Sequence, residues 1–268
     1  MKRIVKYVQC LLLWSFSFFT LVHATSHLAY ADTKAKTEKG KSLVINISCL
    51  HRLSIGTRST LEGRIQIISP LPKGLQVSTD AKGTLHLNRT TCPAGEHSIS
   101  NGIGNEDLAL MTAPHMPIFV QNAGNASITI DPHLEAPIAV HVGNGAASLG
   151  DAEELDIFSN ASGPITLPLL TTSARIRSIG SAVITIQHVK AKALFLILGG
   201  SSRFIAKTGK IKALEIISKS SGNAVFHGQS GVTALHVLST GNITVDRVRG
   251  SLATERDGPG KIFYTSVP

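Results

Sequence analysis

The chain has 268 residues and a formal net charge of +9, with 43% hydrophobic but only 5% aromatic residues. That length suits one domain, or one domain with a small appendage, with enough apolar content for a packed core. Few aromatics argue against a base-stacking platform, and no zinc-finger or helix-turn-helix pattern is present, so the positive balance points to acidic polysaccharide or lipid head groups rather than nucleic acid.

The N-terminus opens with a basic head, Met1 to Lys6, followed by an apolar run from Leu11 to Val22 and the small-residue step Ala29-Tyr30-Ala31. This order reads as a secretory signal over residues 1–31, with the mature chain starting at Asp32; a cut after Ala24 is the competing reading. The run is short for a membrane span, so no stable transmembrane segment is expected once the signal is removed. The expected location is therefore outside the cytoplasm, in a periplasm or at the cell surface. Loss of the signal removes three basic and no acidic residues, which leaves a net charge of +6. Residues 32–42 are polar, basic and without period, and read as a flexible lead-in.

Two cysteines remain in the mature chain, Cys49 and Cys92. Export makes a disulfide between them permissible, and closing that loop would contribute about 4 kcal/mol. No Cys-x-x-Cys step supports a redox site.

Residues 43–117 begin with alternation. Leu43, Ile45 and Ile47 face one way, and short runs such as Gly63 to Ile68, Leu75 to Val77 and Thr84 to Leu87 follow between turn signals. Period-2 runs of this kind predict short strands, here expected as antiparallel hairpins with one buried face. The stretch 93–117 is broken by Gly95, Gly102, Gly104, Pro93, Pro114 and Pro117.

From residue 118 the pattern becomes repetitive. A glycine precedes a β-prone run at Gly124, Gly145, Gly163, Gly180, Gly200, Gly222 and Gly241, at intervals of 17 to 22 residues. A second run lies between most anchors, as in Ile138 to Val142, Leu194 to Ile197 and Leu235 to Leu238. Two short strands in about 20 residues cannot bury an apolar face alone, whereas stacking on the next unit does so. The fold class is therefore all-β, a single-stranded β-helix or solenoid over 118–268 that continues from strands in 43–117, which are expected to cap it. Gly and Asn at the corners, as in Gly222-Asn223 and Gly241-Asn242, suit positions of positive φ.

The steps Ser221-Gly222-Asn223-Ala224-Val225, Ser239 to Val245 and Gly143-Asn144-Gly145 resemble the head GIN domain of autotransporter adhesins, as do the opening strands His51 to Ile55 and Gly83 to Leu87. The resemblance covers roughly residues 45–250. It implies an exported bacterial β-helix with an adhesion-like role, and it brings no catalytic residues. The chain runs from the last coil almost directly to Pro268, without the many further strands of a translocator barrel.

Chemistry-bearing residues fall into two groups. Asp131, Glu135, Asp151, Glu153, Glu154 and Asp156 recur about one coil apart. Stacked carboxylates can hold Ca²⁺, with Asp131, Asp151 and Asp156 as the candidate ligands, or serve acid/base chemistry on a glycan. The register expected is Asp131 over Asp151 and Glu135 over Asp156. Otherwise no cofactor is expected. The basic group is Lys190, Lys192, Arg203, Lys207, Lys210, Lys212 and Lys219, a candidate positive stripe for an anionic glycan. The histidines are scattered and form no zinc-hydrolase pattern, and there is no nucleophile elbow or phosphate loop. These features favour a non-enzymatic envelope protein that binds polysaccharide or an envelope protein. The alternatives are a Ca²⁺-dependent enzyme acting on acidic polysaccharide and an envelope scaffold subunit. A lightly capped C-terminal end raises a homo-oligomer through that end.

Overall fold

The computed structural model describes residues 36–92 and 106–266. The signal segment, the start of the lead-in and residues 93–105 lie outside them. In chain order the strands are β1 (Lys36–Lys39), β2 (Ser42–Ile47), β3 (Leu50–Thr57), β4 (Arg64–Ile67), β5 (Gln76–Thr79), β6 (Thr84–Arg89), β7 (Glu106–Thr112), β8 (Ile118–Asn122), β9 (Ser127–Ile130) and β10 (Ala136–Val142). They continue as β11 (Ala147–Ser148), β12 (Ala152–Ser159), β13 (Ile165–Ser178), β14 (Val183–Gly200), β15 (Arg203–Ser220), β16 (Ala224–Val237), β17 (Ile243–Val248), β18 (Leu252–Arg256) and β19 (Ile262–Ser266). A 3₁₀ turn at Ser59–Leu61 is the one helical element among the described residues, and no helix there is long and apolar enough to cross a membrane.

The strands stack as a β-solenoid with about 20 residues per turn. Two parallel sheets face each other across the core. The first sheet runs β6, β2, β8, β10, β12, then the second halves of β13 to β16, then β18. The second runs β7, β3, β9, β11, then the first halves of β13 to β16, then β17 and β19. Strands β13 to β16 are long because each bends from the second sheet into the first as one strand, with the register held at the corner between β14 and β15 and shifted there in the neighbouring ladders.

Alternation explains the core. In β14, Ile184, Ile186, Val189, Ala191, Leu194, Leu196 and Leu198 are buried, while the other residues of the strand are exposed or half-buried. Each is paired with its counterpart one coil on, as in Ile184 with Phe204 and Leu196 with Ile216. Every inward position thus packs on the same position above and below, which is why a weak per-coil pattern suffices.

The opening strands depart from the expected hairpins. β2 and β3 form a parallel coil that sits between the coil of β6 and β7 and the coil of β8 and β9. The chain therefore passes outward, turns back and encloses its own first coil. Antiparallel pairing is confined to the cap, where β5 lies on β6, β4 on β7 and β1 on β4. Period-2 alternation is identical in parallel and antiparallel strands, so pattern alone does not separate the two.

The last described coil changes the inward columns by substitution. The inward column of Leu235 and Val237 ends in Thr254 and Arg256, and the column of Val245 ends in Tyr264. Polar groups at inward positions blunt an open sheet edge.

The corner glycines serve a purpose other than the one expected. Of the seven anchors, only Gly124 and Gly200 have positive φ. A Cβ at Gly180, Gly222 or Gly241 would collide with the backbone carbonyl of the preceding coil, at Ala161, Ser202 and Gly222 respectively. Glycine is required there for close approach of neighbouring corners. The corner asparagines form a ladder instead of taking left-handed backbone: Asn223 Oδ1 accepts the Asn242 N–H at 2.9 Å, and Asn242 Oδ1 accepts the Lys261 N–H at 2.8 Å.

Candidate functional site

A broad concavity lies on the corner where the second sheet turns into the first. Its origin is a change in corner length. Ala206 pairs with Phe226 and Phe226 with Val245, while Lys210 pairs with Gln229 and Gln229 with Arg247. Three residues separate Ala206 from Lys210, two separate Phe226 from Gln229, and one separates Val245 from Arg247. The corner protrudes at β14 and β15 and steps back at β16 and β17. Glycines allow the tight stacking at the step: a Cβ at Gly209 would press on Val189, and one at Gly228 would strike the Gly209 carbonyl.

The result is an open groove of about 820 Å³ whose floor includes Val189, Ala191 and Ile211 and whose polar lining includes His188, Lys190, Lys210, Lys212, Gln229 and Arg247. Lys190 and Lys210 are direct partners in register, and Gln229 and Arg247 extend the same ladder. Among the described residues none of these cations has an ion-pair partner. The nearest acid in sequence, Asp246, is already engaged by His227 at 3.2 Å and by the Gly228 N–H at 3.1 Å. Stacked, exposed ammonium and guanidinium groups create a local positive field.

The seven basic residues singled out from sequence are divided by the fold. Lys190, Lys210 and Lys212 line the groove. Lys192 and Lys207 are exposed next to lining residues. Arg203 stands opposite Val183 at the start of β15, and Lys219 stands opposite Gly199 near its end, both away from the groove. Sequence reasoning missed Arg247 and His188. Arg247 joins the ladder only because two coils have each lost a corner residue.

The candidate metal residues are not gathered by the fold. The Asp131 carboxylate accepts the Thr57 N–H at 3.1 Å and the His133 N–H at 2.8 Å. Burial pushes its pKa up, but these hydrogen bonds outweigh it and leave the carboxyl below its ordinary range. Gly150, not Asp151, packs on the Asp131 backbone, so Asp151 is one step out of the expected stack. Glu135 approaches Asp151 rather than Asp156. Burial first, and the Glu135 charge second, raise the Asp151 pKa. Asp156 lies on the outer face of the first sheet between Ala139 and Arg175. Among the described residues, the one group of three metal-type ligands is His236, Glu255 and Asp257. There Glu255 and Asp257 already occupy the two ring nitrogens of His236, at 3.4 and 2.9 Å.

Cys49 and Cys92 are joined by a disulfide, with Cα atoms 5.8 Å apart. Cys49 is the one non-glycine residue of positive φ among the described residues. Beside it the buried Arg89 donates to the Ser48 and Cys49 carbonyls at 2.8 and 3.2 Å and pairs with Glu106. This cluster fastens the first coils.

No family model matches the chain, and no curated protein matches it. Solved structures do. A proposed adhesin from Parabacteroides distasonis aligns at 15% identity over 87% of this chain and 98% of its own, with a TM-score of 0.56. A proposed adhesin from Bacteroides fragilis aligns at 16% identity over 87% and 98% of the two chains, with a TM-score of 0.48. A proposed lipid-binding protein from Parabacteroides distasonis aligns at 15% identity over the same shares, with a TM-score of 0.49. At such identities the likeness is one of fold.

Proposed function

We propose that this protein is an exported, non-catalytic envelope component whose solenoid binds an anionic glycan at the corner groove. The observation that carries the reading is the ladder of Lys190, Lys210, Gln229 and Arg247, one coil apart, with its cations unneutralised among the described residues. Neighbouring coils are about 4.8 Å apart, so the ladder offers a repeating positive line to a polymer with repeating negative charge. The P. distasonis structure described as a proposed adhesin supports a binding role on this fold, and the signal-like residues 1–31 support export.

The test is titration of the chain from Asp32 onward with polygalacturonate at about 50 and 300 mM salt, beside vesicles of an anionic phospholipid. Glycan binding should weaken at least about 10-fold with the added salt and again in Lys190→Gln/Lys210→Gln. Vesicle binding without glycan binding would replace the glycan by a lipid head group. Absence of both, or a variant that binds like the parent, would refute the reading.

A further inference from the structure

The acidic and basic groups, separate in sequence, occupy one edge of the solenoid. The corner that carries the groove also includes the turn from β9 to β10, with Asp131 and Glu135, and the turn into β12, with Asp151, Glu153 and Glu154. The corner is bracketed by paired residues in every coil, and it lengthens by one residue at each step: Ala152 and Glu154 of β12 pair with Leu170 and Ser173 of β13, which pair with Val189 and Ala193 of β14. Along this edge come two acidic turns, then one uncharged turn through Thr171 and Thr172, then two basic turns. The first basic turn carries Lys190 and Lys192, and the second carries Lys210 and Lys212. Asp131 is engaged by His133 at 2.9 Å and Glu135 stands 4.0 Å from His115. Glu135 also lies beside a partly desolvated Asp151, and Glu153 and Glu154 have no ion pair among the described residues. Each half is left with surplus charge of one sign.

We propose that this edge is the interface between two copies of the chain, packed side by side and antiparallel about a twofold axis through the uncharged turn of β13. The symmetry follows from the order of charges. With a coil rise of about 4.8 Å, a twofold at Thr171 and Thr172 places the Lys190 and Lys192 turn against the partner's Asp151, Glu153 and Glu154 turn. The same operation places Lys210 and Lys212 against the partner's Asp131 and Glu135. Parallel packing in register sets like charges together, and an antiparallel shift by one coil leaves a basic or an acidic turn against the uncharged one, so this register makes the most opposite-charge pairs. The contact is isologous and closes at two copies, which avoids filaments. Its partner groups are largely exposed, so its strength comes from charge and falls steeply with salt. It covers part of the basic groove. A polyanion and a second copy therefore compete for the same lysines, and the partner's acidic turns act as a built-in occupant of the groove. The dimer does not require that a glycan binds.

Sedimentation of the chain from Asp32 onward, at about 20 and 300 mM salt, tests this. A dimer should form at low salt with a dissociation constant at least about 10-fold lower than at high salt. Two triple variants, Lys190→Glu/Lys210→Glu/Lys212→Glu and Glu135→Lys/Glu153→Lys/Glu154→Lys, should each be monomeric, and their equimolar mixture should dimerise. The second variant keeps every groove lysine, so it should lose the dimer while retaining polygalacturonate binding. That separates failure of the dimer from failure of the glycan reading. A monomer at low salt and several hundred micromolar protein would overturn the proposal. So would a dimer that persists in both variants, or a mixture that stays monomeric while each variant shows the parent's circular dichroism.

Discussion

The two ends of the solenoid are stabilised by different means. From β13 to β17 the chain repeats one solution: inward aliphatic columns, two buried phenylalanines at Phe204 and Phe226, corner glycines and a ladder of asparagines. From β2 to β9 stacking order and chain order part: the coil of β6 and β7 packs on one side of the first coil, and the next coil, β8 and β9, packs on the other. There the chain encloses its first coil, and the join rests on unrepeated contacts: Arg89 with Glu106, the Cys49–Cys92 disulfide, and Asp131 reaching back to Thr57. Repetition spreads stability evenly over neighbours, whereas an enclosed coil concentrates it in a few polar anchors.

That contrast is sharpest for two buried side chains. Phe226 is fully buried between the sheets, so Phe226→Ala should cost about 4 kcal/mol. The loss should appear as a single shifted transition in denaturant, because the cavity sits within the stacked coils. Arg89→Ala removes a guanidinium that serves three backbone carbonyls and a carboxylate, and should cost about 3 kcal/mol. Here hydrogen exchange should quicken in β2, β3, β6 and β7 while β14 to β16 keep their protection. Equal loss of protection at both ends after Arg89→Ala would show that the two regions unfold as one unit.

The same contrast explains what could be read from the residues alone. The coils after residue 118 were legible because glycine spacing and alternation repeat. The purpose of those glycines was not, since close approach to a carbonyl one coil away leaves no local mark, while positive φ is the usual inference. The enclosed first coil was illegible because alternation does not encode strand direction. The basic residues were visible as a cluster, yet Lys219 and Arg203 stand apart and Arg247 belongs with Lys210. Corner lengths change by one residue between several neighbouring coils, and a fixed repeat cannot follow such shifts. For the same reason Asp156 falls on a sheet face instead of beside Asp151.

The smallest expected effects divide two aspartates on one corner. Asp131 ties the corner to the enclosed coil, and its pKa in the folded chain is lowered. Its ionised form therefore adds stability above the unfolded carboxylate's pKa, and this is lost as pH falls through the lowered folded value. Asp131→Asn should cost about 1 kcal/mol at pH 7, and the gap should narrow as the pH falls below about 4. Asp151 has the opposite sign. Burial and Glu135 raise its folded pKa, so the protein is most favoured where Asp151 is protonated, and it loses stability as pH rises through that raised value. Asp151→Asn should then gain about 0.5 kcal/mol at pH 7 and nothing at pH 3, where both states bind the proton. Urea melts of the two variants at pH 7 and pH 3 measure the difference. A destabilised Asp151→Asn at pH 7 would mean that its hydrogen bond from the Leu169 N–H outweighs the crowding of charge. Asp151 would then anchor the corner as Asp131 does, instead of leaving a surplus of negative charge for lysines of a second copy.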